Sequence, residues 1–217
     1  MRFRCLILDH DDTVVNSTAT VHYPSFVEYM KAYKPGVMFS LEDYFRYNFA
    51  PGVVPFFRDI VGLDEKEMEE EEQFWKEYAE QHVPLAYPGI RELLEEHRAG
   101  GGIIAVASHS YSHNILRDYR ENGLPKPDQI YGWDLPASLR KPDPYAVFEV
   151  LKTCSLAPSD VLVVDDLKPG YDMARAAGVT FAAAGWANNI PEIESFMRQN
   201  SDYYFKTVQE FTEFLRG

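Results

Sequence analysis

The chain has 217 residues, enough to bury a full core as one domain or one and a half. Hydrophobic residues make up 46% and charged residues 25%, the composition expected of a soluble globular protein, and no apolar run approaches membrane-spanning length. A formal charge of −13 sets the surface against nucleic acid and anionic membranes as partners.

The opening residues, Met1-Arg2-Phe3-Arg4-Cys5, lead straight into a strand-like run without the long apolar segment of a signal peptide, so a cytoplasmic location is expected. Cys5 and Cys154 sit in apolar surroundings and read as buried thiols, not a disulfide. Leu6-Ile7-Leu8 reads as a buried strand with Asp9, Asp11 and Asp12 at its exit. Three carboxylates so close repel one another and stay ionised most easily around a cation. They serve equally as caps of a polar turn, and this stretch alone leaves both readings open.

From about Tyr23 to His82 the chain is rich in aromatics at helical spacing, as in Phe26-Tyr29-Met30-Tyr33 and Phe74-Trp75-Tyr78. Ser40 before Leu41-Glu42-Asp43 predicts a helix start, and Pro35-Gly36, Pro51-Gly52 and Gly62 punctuate the segment. About four helices and no strand are expected, with most rings in a core and Tyr47, Phe49 and Phe56 as candidates to face a pocket. The acidic run Asp64 to Glu72 reads as a solvated helix face, and Arg46 and Arg58 as surface partners of nearby acids.

Beyond Gly89, helices are expected at Ile90 to His97, Asn114 to Glu121, Asp143 to Lys152, Tyr171 to Ala177 and Val208 to Leu215. Strands are expected at Ile103 to Ala107, Gln129 to Gly132, Val161 to Val164, Thr180 to Ala184 and Tyr203 to Phe205. Strand and helix in alternation imply a parallel sheet with helices on both faces, and ligands bind at the carboxyl ends of such strands. Asp9-Asp11, Ser108 and Asp165-Asp166 each follow an apolar strand at once, which favours one shared site over three unrelated turns.

These stretches, in this order, resemble the haloacid dehalogenase-like (HAD) hydrolases. Asp9-His10-Asp11-Asp12-Thr13 resembles the family's first motif, Ser108 its second, Lys141-Pro142-Asp143-Pro144 its third, and Asp165-Asp166 with Gly170 and Ala176-Ala177-Gly178 its fourth. The segment between the first two motifs is similar to the helical cap of the subclass typified by phosphoglycolate phosphatase and β-phosphoglucomutase. The resemblance implies a Rossmann-like α/β core, a doubly wound parallel sheet formed by residues 1–14 and 85–217, with an all-α cap at 15–84.

It also implies a magnesium-dependent phosphatase acting on a small phosphorylated metabolite, as a monomer or homodimer. Asp9 would be the nucleophile that forms an aspartyl-phosphate, and Asp11 the general acid and base. Mg2+ would be held by Asp9, the Asp11 backbone carbonyl and Asp166, with Asp165 beside them. Ser108 and Lys141 would grip the phosphoryl oxygens, and His109 would line the substrate site. A phosphomutase using the same intermediate is the enzymatic alternative, and a binding or regulatory protein with a weakened site is the other. Phosphonate hydrolysis through Lys31 or Lys34, and dehalogenation, are disfavoured by Asp11, which those branches lack. Two residues depart from the pattern. Asp12 stands where the family has Gly, adding a carboxylate near an anionic substrate, and Gly170 stands where many relatives have Asp.

Overall fold

The computed structural model describes residues 1–217. Six strands, β1 Cys5–Leu8, β2 Ile103–Ala107, β3 Gln129–Tyr131, β4 Val161–Asp165, β5 Thr180–Ala184 and β6 Tyr203–Phe205, form one sheet. All pairings are parallel and the order is β3-β2-β1-β4-β5-β6. β1 and β4 are buried along their whole length. A parallel sheet covered on both faces has no solvent side, which is why these strands read as unbroken apolar runs.

The strand order reverses at β1: the chain goes first to β2 on one side and later to β4 on the other. That reversal opens a crevice at the carboxyl ends of the strands. Leu8 is in register with both Val106 and Val164, so Asp9 and Asp165, the next residues along, emerge side by side.

The helices are α1 Tyr23–Tyr33, α2 Leu41–Phe49, α3 Val53–Pro55, α4 Glu65–Gln81, α5 Ile90–Ala99, α6 Ser112–Glu121, α7 Tyr145–Thr153, α8 Lys168–Ala177, α9 Pro191–Asn200 and α10 Val208–Arg216. The chain divides into two compact units, residues 1–16 with 85–217, and residues 17–84. Val15 and Asn16, expected in the helical segment, fall in the first unit, where Val15 bridges to both Asp11 and Ala86.

In the sheet unit, Leu6, Leu8, Ile104, Val106, Leu162 and Val164 meet Leu93, Leu94, Ile115 and Phe211 in one buried cluster. Each such side chain contributes about 1.5–3 kcal/mol by leaving water. Three expected helix starts differ, α6 beginning at Ser112 and not at Asn114. α7 begins at Tyr145, since the Asp143 carboxylate accepts a 2.9 Å hydrogen bond from the Tyr145 N–H and holds the preceding residues out of the helix. α8 begins at Lys168, three residues before the expected Tyr171, with Pro169 in its first turn where the missing N–H is harmless. α9 was not expected. Cys5 and Cys154 are both free, Cys5 buried and Cys154 only half-buried.

In the 17–84 unit no strand forms, and π-helical turns at Thr18–His22 and Phe56–Val61 supplement the helices. Its core is aromatic: Phe26, Tyr44, Phe56 and Phe57 are buried, and Tyr47 stacks on Phe56 with ring centroids 5.2 Å apart. Phe56 is fully enclosed by these rings, which removes it as a pocket-facing residue. α2 and α4 both open with reciprocal caps, Ser40 with Asp43 and Asp64 with Glu67. Arg46 pairs with Glu42 and Asp43, and Arg58 with Asp59. The acidic face of α4 is solvated except at Glu71, which is 8% exposed. Burial pushes its carboxyl up to about 8, with Glu72 adding to the rise and His22 opposing it.

Candidate active site

Asp9 leaves β1 with its N–H bonded to the Val164 carbonyl at 2.8 Å, which fixes it against β4. Its Oδ1 lies 2.9 Å from Lys141 Nζ, an ion pair off the line of a hydrogen bond. The same ammonium donates to Asp165 Oδ2 at 2.7 Å. Asp165 uses its other oxygen to accept from the Leu167 N–H at 2.8 Å, which anchors the turn into α8. Lys141 is thus held between two carboxylates with its side chain 5% exposed. Burial works to lower its pKa, but Asp165 and Asp9 outweigh that and raise it, so it stays an ammonium.

Asp166 is different. It is buried, and neither of its carboxylate oxygens has a hydrogen-bond partner. A buried carboxylate in that condition carries a large desolvation cost. Burial raises its pKa well above the ordinary value, and Asp12, Asp165 and Asp9 raise it further. Asp9 moves in the same direction, through burial first and Asp165 second. Asp9, Asp165 and Asp166 each offer an oxygen, and these atoms lie within 4.8 Å of one another. An all-oxygen donor set with unpartnered buried carboxylate oxygens fits a small hard cation.

The Asp11 side chain is not part of that group. Its Oδ2 accepts from Ser110 Oγ at 2.7 Å and Ser108 Oγ at 3.2 Å, while the Ser110 N–H donates to Ser108 Oγ at 3.1 Å. β2 and the first turn after it therefore hold Asp11. His109 Nε2 faces the Lys141 carbonyl at 3.1 Å, with its ring edge-on to Trp133. Burial pulls the His109 pKa down to about 4, aided by the nearby Lys141 charge, so the ring is neutral at pH 7 and Nε2–H is the donor.

Asp12 takes a left-handed backbone conformation, φ 55°, which explains why Gly suits this position and why Asp, among the more tolerant residues, is accommodated. The Thr13 carbonyl accepts from Trp186 Nε1 at 3.1 Å, pinning the end of the loop.

Sequence reasoning gave Ser110 no role, and it did not give the physical part played by Gly170 or the long-range partner of His10. Ser110 lies two positions after Ser108, and its hydroxyl was a visible signal. Gly170 is required by close approach to Asp165. His10 finds its partner far along the chain: its Nε2 donates to Asp118 Oδ2 at 3.0 Å, 108 residues away.

A doubly wound α/β core thus brings carboxylates from two adjacent strand ends together at the sheet's switch point, with a buried lysine between them. The model of the haloacid dehalogenase-like hydrolase family matches residues 6–184, and the chain belongs to that family. It is 31% identical over 136 residues to a phosphoglycolate phosphatase of Pseudomonas savastanoi pv. phaseolicola, covering 60% of this chain and 49% of that one. It is 29% identical over 92 residues to a phosphorylated carbohydrates phosphatase of Thermotoga maritima, covering 42% and 43%. The chain thus spans about half the length of the curated relatives it matches. A crystal structure from Bacteroides fragilis, described as a haloacid dehalogenase-like hydrolase, superposes with a TM-score of 0.80 over 96% of this chain and 99% of that one at 20% identity, a likeness of fold.

Proposed function

We propose that this protein is a phosphatase that hydrolyses a phosphate monoester of a small metabolite through a phosphorylated Asp9, with Mg2+ as cofactor. The observation that carries the reading is the pairing of Asp9 with Lys141 beside an Asp166 whose buried oxygens have no partner. The family and the phosphatase names of its relatives support it.

Asp9, Asp165 and Asp166 would hold the cation with the Asp11 carbonyl; when bound, it supplies positive charge that offsets repulsion between carboxylates and phosphoryl oxygens. An Asp9 oxygen attacks phosphorus and the ester P–O bond breaks. Asp11, in its protonated form, gives its proton to the departing oxygen. Water then attacks the phosphorus of the acyl phosphate, Asp11 takes its proton, and the P–O bond to Asp9 breaks to release inorganic phosphate. Lys141 and Ser108 stabilise the phosphoryl oxygens during both transfers. Ser110 and Ser108 hold Asp11 until the substrate arrives, and neutral His109 keeps the Lys141 backbone in place.

The substrate class we favour is a small phosphorylated acid or sugar, in keeping with what the Pseudomonas and Thermotoga relatives are named for. Two free thiols suit a reducing compartment, and no helix is long and apolar enough to cross a membrane. The test is phosphate release from a panel of phosphorylated acids, sugars and nucleotides, with and without Mg2+. Release that needs Mg2+ and is lost in Asp9→Asn supports the reading. Conversion of a sugar phosphate to its isomer without phosphate release points to the mutase, and no turnover of any phosphate ester overturns the proposal.

A further inference from the structure

Side chains alternate across a strand. At the exit of β1, Asp9 turns to Lys141 and His10 turns the other way, to α6. His10 is 1% exposed, stacks on Tyr119 with ring centroids 5.9 Å apart, and donates to Asp118 Oδ2 at 3.0 Å. Asp118, 3% exposed, has its other oxygen bonded by Arg117 through Nε at 2.8 Å and Nη2 at 2.7 Å. Each oxygen of the Asp118 carboxylate therefore has a partner, and its orientation is set. The His10 carbonyl in turn accepts from the N–H groups of Val14 and Val15 at 3.0 and 3.1 Å, closing the loop that follows Asp9.

We propose that His10 and Asp118 are positioning residues for Asp9, fastening the loop that carries it to α6. The loop is tied to the same segment a second time, because Asp11 accepts from Ser108 and Ser110, which precede α6 by only a few residues. One fastening holds the residue after Asp9 and the other holds the residue after that. Between them the β1 exit cannot rotate without moving β2's exit with it. A buried polar pair is weak evidence of stability, since well-packed apolar side chains do as well or better. What such a pair supplies that apolar packing does not is a direction at a defined atom. The direction is needed because in-line attack by Asp9 tolerates little displacement: a misplacement of about 1 Å costs roughly a hundredfold in rate.

This inference rests on the proposed role of Asp9, so its test has a readout that does not depend on chemistry. The variants are His10→Leu, which keeps the bulk and removes the donor, His10→Gln, whose side-chain amide N–H can still reach Asp118, and Asp118→Asn. Amide hydrogen exchange is followed in the peptide spanning residues 5–16, alongside kcat and KM on an aryl phosphate. H10L and D118N are expected to speed exchange in residues 9–15 about tenfold while α5 and α10 stay protected. They should lower kcat about 10–100-fold with KM changed by less than about threefold. H10Q should restore most of both. Unchanged exchange in the loop overturns the proposal, as does a fall in melting temperature with no change in kcat, or a loss that H10Q fails to rescue. Should the wild type turn over no phosphate ester, loosened exchange rescued by H10Q would still support the fastening while the phosphatase reading fails.

Discussion

Gly170 lets Asp165 lie against α8: a β-carbon at residue 170 would overlap the Asp165 carboxylate, the oxygen that meets it being the one that holds Lys141. The departure at this position is therefore a packing requirement of this chain's own site. Gly170→Ala is expected to push Asp165 aside, loosen Lys141 from Asp9, and cost about 1–3 kcal/mol of stability by overpacking. Activity on a phosphate ester should fall at least about tenfold. Thermal melts and steady-state kinetics of the variant check both, and wild-type behaviour in each would contradict the packing argument.

Removing divalent cations should destabilise the protein, because Asp9, Asp165 and Asp166 then face one another with only Lys141 to offset them. Titrating Mg2+ into metal-stripped protein should raise the melting temperature, binding to the native state alone adding about 3 kcal/mol of stability when the cation exceeds its dissociation constant a hundredfold. Asp166→Asn should stabilise the metal-free protein and blunt the Mg2+ response. Calcium should bind yet support little turnover, since its looser coordination relaxes the geometry of Asp9. Equal Mg2+ responses in the wild type and the variant would remove Asp166 from the cation site.

Glu71 predicts a pH dependence that has nothing to do with catalysis. Its folded pKa, about 8, is above the ordinary carboxyl value of 4.5. The native state therefore keeps a proton that the unfolded chain gives up, and stability falls as pH rises from about 4.5 through about 8, then levels. Glu71→Gln mimics the protonated form without titrating. It should match the wild type near pH 4.5 and melt a few degrees higher at pH 9. Parallel melting curves for the two proteins from pH 5 to 9 would show that Glu71 is not the group responsible.

Three of the four motif positions, Asp9-Asp11, Ser108 and Asp165-Asp166, were legible because buried parallel strands read as apolar runs with a polar cluster after each; Lys141 follows no strand directly and was picked out by the resemblance alone. Much of the helical segment was legible for a similar reason, since Ser40 and the aromatic periodicity mark local events. What was missed is mostly long-range. His10 meets Asp118 across 108 residues, and no local pattern encodes that. α9 escaped notice although Pro191, Glu192 and Glu194 mark a helix start and Ile193 and Met197 share a face. Glu71 was readable in principle: it lies three and four residues before Phe74 and Trp75, on the inward stripe of α4, but a run of acids reads as solvated throughout.

The central claim is that Asp9 becomes phosphorylated. The direct measurement is rapid acid quench of the enzyme during turnover of a phosphate ester, followed by mass analysis of the peptide that holds residue 9. One added phosphoryl group on that peptide, removed by hydroxylamine as an acyl phosphate must be and absent from Asp9→Asn, is the predicted result. Turnover at full rate with no adduct, or an Asp9→Asn protein that hydrolyses the ester as fast as the wild type, would contradict the account.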